Sequence, residues 1–149
     1  MIITCCGHSS YSFSEEQIKL ISNTFELLLK TGENCSFYLG RYGDFDLTCH
    51  ACLTSLKNKY SNLTLVFVTP YIDCNYTKLK TAKDYYDQVI YPPLETVPKK
   101  LCIIRRNEWM VDQADLVISF VKYRGGAEKT LNYAIRKKKK IIDLTKELL

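Results

Sequence analysis

Apolar residues along the chain fall into short continuous runs and longer periodic ones, and the two kinds alternate. Continuous β-branched or aromatic runs predict buried strands at residues 2–6, 35–39, 63–68 and 116–121, with briefer ones at 89–91 and 141–142. Helical spacing fills the gaps. Ile18, Ile21, Phe25 and Leu28 follow Ser14-Glu15-Glu16-Gln17, a Ser-x-x-Gln capping box, and Gly32 suits the helix stop. Leu47, Leu53 and Leu56 mark a second helix running from Asp46 to about residue 59, with Asp46 as its N-cap. Residues 99–113 predict a third, although Ile103-Ile104 leaves some strand character there. A last helix opens at Gly125-Gly126 and carries Leu131, Ala134 and Ile135. The polar, tyrosine-rich stretch 71–86 reads as a loop with one short helix.

Strands alternating with helices predict a single α/β domain over residues 1–149, Rossmann-like and doubly wound, with a mainly parallel sheet and helices on both faces. Uninterrupted apolar strands agree with a sheet buried on both sides. The 149 residues, 46% hydrophobic and 25% charged, are enough for one packed core and exclude disorder, collagen-like repeats and coiled coil. No apolar run reaches the ~18 residues of a membrane span, and the first residues lack a secretory pattern, so a soluble, cytoplasmic protein without a membrane partner is expected. The seven cysteines then read as free thiols. Cys49-His50-Ala51-Cys52 lacks a second pair, so no metal site is expected there.

In open α/β sheets, ligands bind beyond the carboxyl ends of the strands. Four loops qualify: Gly7-His8-Ser9; Gly40-Arg41-Tyr42-Gly43-Asp44; Thr69-Pro70-Tyr71; and Arg124-Gly125-Gly126-Ala127 with Thr130. Glycines let backbone N–H groups approach an anion, and the helix behind each loop favours negative charge. Gly125-Gly126 before an amphipathic helix is the best phosphate candidate. Neither a Walker A sequence nor a Gly-x-Gly-x-x-Gly fingerprint is present. His8 is placed to donate to phosphate or hydroxyl, and Asn107 and Glu108 to face a pocket. Trp109, Met110 and Val111 read as helix packing. Asp44, Asp46 and Glu108 are the carboxylates available for acid–base work.

Four motifs occur in order: Cys6-Gly7-His8-Ser9; Gly40-x-x-Gly43-x-Phe45-Asp46; Arg106-Asn107-x-Trp109-Met110-Val111-Asp112-x-Ala114-Asp115; and Gly125-Gly126-x-x-x-Thr130-x-x-Tyr133-Ala134. Together they resemble the SLOG superfamily, Rossmann-like proteins related to the LOG phosphoribohydrolases and the DprA-like proteins. The likeness is strongest to small bacterial and phage members of undetermined activity. The resemblance implies a nucleotide-derived ligand at the strand ends, of the ADP-ribose or cyclic ADP-ribose signalling type known in antiphage defence, and a homodimer or larger homo-oligomer. It places Gly7, His8 and Ser9 on one wall, Gly40, Gly43 and Asp44 on another, and Gly125, Gly126 and Thr130 on phosphate. The LOG signature Pro-Gly-Gly-x-Gly-Thr-x-x-Glu is broken here, because Arg124 replaces its proline and its last glycine and its acid are missing at their offsets. Sensing or sequestering the ligand without a further cofactor is therefore the leading expectation. An enzyme acting on an N-glycosidic bond is the alternative. The net charge of +5 and the tyrosines of 71–91 leave nucleic acid as a lesser possibility, read as an unlikely partner.

Overall fold

A computed structural model describes residues 1–146, so the last three residues of the expected domain lie outside the described residues. Six strands form one all-parallel sheet: β1 (Ile2–Gly7), β2 (Cys35–Leu39), β3 (Leu63–Val68), β4 (Gln88–Ile90), β5 (Leu116–Phe120) and β6 (Lys140–Asp143). Their order across the sheet is β4-β3-β2-β1-β5-β6. The chain builds outward from β1 in one direction, then crosses back to lay β5 on its other side. Right-handed crossovers in opposite directions put their helices on opposite faces, and β1/β5 becomes the switch point of the sheet.

One face carries α1 (Glu15–Leu29) and α2 (Asp44–Lys57). Here Ile3, Phe37, Leu39, Leu65, Phe67, Ile118 and Phe120 meet Ile21, Phe25 and Leu29 of α1 and Phe45, Leu53 and Leu56 of α2 in one continuous core. The Ser14–Gln17 capping box forms in both directions, which fixes the start of α1. α2 begins two residues earlier than its apolar spacing indicates. Gly43 is its N-cap, and Asp46 lies in the first turn, where its carboxylate accepts from the Tyr42 amide at 3.1 Å.

The opposite face carries α5 (Cys102–Gln113) and α6 (Gly126–Arg136). Its core is divided. Cys6, Val111, Ala114, Val117 and Ala134 form one cluster, and Val66, Val68 and Met110 form another with Tyr38 and Trp109 packed alongside. A cleft opens where the two clusters part. Residues 71–86 form two four-residue helices, α3 (Thr77–Lys80) and α4 (Ala82–Tyr85), in place of the single short helix expected. All seven cysteines are free thiols. Among the described residues no helix is long and apolar enough to cross a membrane.

Candidate functional site

The cleft has a volume of about 360 Å³, within the usual range of small-molecule sites. It lies at the switch point, between the end of β1 and the start of α6, with α5 as its far wall. Strand alternation supplies the floor. Thr4 and Cys6 point to the α5/α6 side, and Met110 and Val111 close it from α5. Cys6 is a packing group: its thiol donates to the Ala127 carbonyl at 3.1 Å, and burial pushes its pKa up to about 12.

The α6 end of the cleft differs from the starts of α1 and α2 on the opposite face. At α1 the Gln17 amide is taken by the Ser14 hydroxyl. At α2 the Asp44 and Phe45 amides donate to the carbonyls of Ser9 and His8, at 2.9 and 3.2 Å. At α6 no side chain caps the helix, and among the described residues no acceptor meets the amides of Gly126, Ala127 and Glu128. A Cβ placed on Gly125 or Gly126 would find nothing within 4 Å. Gly125 adopts φ 155°, ψ −160°, a conformation open essentially to glycine alone. Free amides, open approach and the positive end of the helix dipole make an anion cradle.

The other three glycines of the strand-end loops, Gly7, Gly40 and Gly43, answer to packing. A Cβ on Gly7 would lie 2.2 Å from the Phe45 ring, and one on Gly43 would lie 2.4 Å from the Ser9 Cα. A Cβ on Gly40 would fall 2.8 Å from the guanidinium of Arg106.

Arg106 is the residue that the loop-by-loop reading left out. It sits on α5 and is only 1% exposed. Its Nη1 donates to the carbonyls of Gly40 and Val68, at 3.0 and 2.8 Å, and its Nε to Asn107 Oδ1 at 2.9 Å. These bonds tie α5 to the ends of β2 and β3. Arg106 lines the cleft, and its Nη2 has no hydrogen-bond partner among the described residues. Asp46 lines the cleft too. Burial raises its carboxyl above the ordinary range, while the amides of Tyr42 and Gly40 and the nearby guanidinium pull it partly back.

The cleft therefore brings together Gly7, His8, Ser9, Tyr42, Asp46, Asn107, Glu108, Gly125, Gly126, Ala127 and Thr130. The remaining sequence candidates stand outside its lining. Asp44 accepts from the Tyr11 amide and borders a wide, shallow depression between α1 and α2. Arg41 turns away, with φ 56°, to donate to the Lys78 carbonyl and the Thr81 hydroxyl. Thr69 is buried and bonds locally to Tyr71, with Pro70 between them. Gly40 backs Arg106, Gly43 seats α2 on Ser9, and Arg124 is exposed. His8 is 3% exposed, and its Nε2 accepts the Lys122 amide at 2.8 Å, so that nitrogen is not free to donate to a ligand. Among the described residues no group of three His, Cys, Asp or Glu side chains is gathered as a metal site.

No protein-family model matches the chain, and no curated protein matches it. Solved structures do. TM1055 superposes with a TM-score of 0.61 at 14% identity, over 94% of this chain and 71% of its own. The molybdenum cofactor carrier protein of Chlamydomonas reinhardtii gives 0.60 at 16% identity, over 95% and 74%. DNA processing protein A of Helicobacter pylori, which binds single-stranded DNA, gives 0.66 at 13% identity, over 96% of this chain and 64% of its own. At these identities the likeness shows the fold alone, an all-parallel Rossmann-like α/β sheet shared with these three proteins. One of these neighbours is a molybdenum cofactor carrier and another binds single-stranded DNA, so the comparisons give the expected exclusion of nucleic acid no support.

Proposed function

We propose that this protein binds a small nucleotide-derived ligand, with phosphate on the α6 amides and the rest of the molecule along α5. The single observation that carries the reading is the uncapped α6 start, opening into a cleft that a buried arginine also lines. Gly125, Gly126, Ala127 and Thr130 hold the phosphate end. Arg106 adds charge from behind, where a desolvated guanidinium interacts more strongly than it would in water. Ile103, Ile104 and Met110 offer an apolar wall for a base, and Asn107, Glu108 and Asp46 offer partners for its edge or for sugar hydroxyls. Gly7, Ser9 and Tyr42 complete the rim. The broken LOG signature favours sensing or sequestering an ADP-ribose-type signal over hydrolysing one.

A second reading rests on Asp46. A carboxyl held above its usual pKa inside a ligand cleft suits general-acid work at an N-glycosidic bond. One assay separates the two. The purified protein is incubated with ADP-ribose, its cyclic isomers, adenine nucleotides and deoxynucleosides, and the bound and free fractions are analysed by mass spectrometry. Recovery of an intact ligand from the protein, with none consumed, is the expected result. Release of a free base establishes cleavage instead. Asp46→Asn is then expected to cost at least ~10²-fold in rate, and Asp44→Asn, outside the cleft, to cost nothing.

A further inference from the structure

We infer that His8 is a positioning residue for the phosphate cradle and that it makes ligand affinity depend on pH. The inference rests on the cleft reading above and concerns what holds the β5–α6 loop in place. That loop, residues 121–125, is tied to the β1 end by three contacts. The Lys122 amide donates to His8 Nε2 at 2.8 Å, the Tyr123 ring stacks flat on the His8 ring at 3.6 Å and 2°, and the Tyr123 hydroxyl donates to the Ser10 carbonyl at 2.6 Å. Two of the three run through the imidazole. Gly125 ends this loop and Gly126 opens α6; a Cβ at either would meet nothing within 4 Å, so no side chain packs over them, and behind them α6 is anchored to β1 at Ala127, whose carbonyl accepts the Cys6 thiol.

An Nε2 that accepts must carry a lone pair, so the contact exists only with neutral His8, protonated on Nδ1. Protonation would set an N–H against the Lys122 N–H and remove the bond. The surroundings offer the imidazolium little compensation. The loop of residues 8–14 contributes Tyr11, and β5 contributes the edge of Phe120, which carries the Lys122 ammonium 5.7 Å from its ring centroid. The start of α2 contributes the Phe45 amide, which donates to the His8 carbonyl, and the Asp44 carboxylate, which is turned to the Tyr11 amide. Burial accordingly lowers the His8 pKa from its ordinary 6.5. Above that range the loop is clasped. As pH falls through it, the clasp opens and the cradle loses its fixed geometry.

The test uses ADP-ribose as probe, because its pyrophosphate gains no proton over the window in which imidazole titrates. Calorimetric affinity is measured from neutral to mildly acidic pH for the natural protein and for His8→Gln, whose amide oxygen accepts from Lys122 without titrating. The natural protein is expected to lose affinity by about tenfold per pH unit below the His8 pKa, the slope of one coupled proton, and His8→Gln, at whatever affinity it has at neutral pH, to show no such slope. In parallel, the amide NMR signals of Lys122, Gly125 and Gly126 are followed without ligand. They are expected to titrate together with the His8 ring in the natural protein and to stay still in His8→Gln. The same pH dependence of these signals in both proteins, or none in the natural one, overturns the inference even if ADP-ribose fails to bind. Failure of ADP-ribose to bind at neutral pH, with the loop titrating as expected, strikes at the cleft reading alone.

Discussion

Arg106→Met is expected to lower stability by about 2–5 kcal/mol and to abolish ligand binding. Methionine fills much of the same volume, so the cost comes from the hydrogen bonds. Two buried strand-end carbonyls, of Gly40 and Val68, lose their donor, and each orphaned buried acceptor costs about 1–3 kcal/mol. Relief of the guanidinium's own desolvation works the other way, which is why the sum is not larger. Asp46 then loses the one buried cation that offsets its burial, so its carboxyl rises further. Chemical denaturation with an unchanged m-value checks the stability term, and calorimetry with ADP-ribose checks the binding term. Arg106→Lys is expected to recover little of either, because an ammonium cannot reach Gly40, Val68 and Asn107 with one planar fork. A fully stable Arg106→Met protein would mean that the two carbonyls find water, and that the cleft runs deeper than its lining indicates.

Ligands of open α/β sheets are expected at the loops beyond the strand ends, and Arg106 reaches those ends from the side, along a helix. A signal was nevertheless present. Cys102, Arg106 and Met110 share one face of α5 at four-residue spacing, and all three are buried. An arginine on the apolar face of a helix must find partners inside, so it deserved a place beside Asn107 and Glu108. The strands were legible because a sheet covered on both sides leaves continuous apolar runs, and α1 was legible because its capping box is local. The start of α2 was misplaced because its cap is tertiary: the acceptors for the Asp44 and Phe45 amides come from Ser9 and His8, some 35 residues earlier. Nothing near Asp46 in the sequence announces that. His8 was read as a donor from its position at a strand end, yet its role turns on the Lys122 amide, more than a hundred residues away.

The glycine loops make the same point and yield the second large prediction. Read in sequence, Gly40-x-x-Gly43 and Gly125-Gly126 look like two versions of one device, a flexible turn before a helix. Gly43→Ala is expected to unfold or severely destabilise the protein, while Gly126→Leu leaves the fold intact and removes ligand binding. At Gly43 the backbone has φ 94°, and an added Cβ would lie 2.4 Å from the Ser9 Cα, a backbone atom that cannot turn aside. Strain in that region alone costs about 1–3 kcal/mol. Relieving the clash would also pull the Asp44 and Phe45 amides off their carbonyls. At Gly126 the backbone is already helical and the Cβ position is open, so leucine is accommodated with little change in melting temperature. Its side chain would instead cover the free amides. Losing two charge-assisted hydrogen bonds, at about 1.5–3 kcal/mol each, corresponds to at least a hundredfold weaker binding. Thermal melts and calorimetry on the two variants decide the matter together. If Gly126→Leu binds as well as the natural protein, the phosphate does not sit on α6. If Gly43→Ala is stable, the contact between the β1 loop and α2 is not the joint that sets the cleft's near wall.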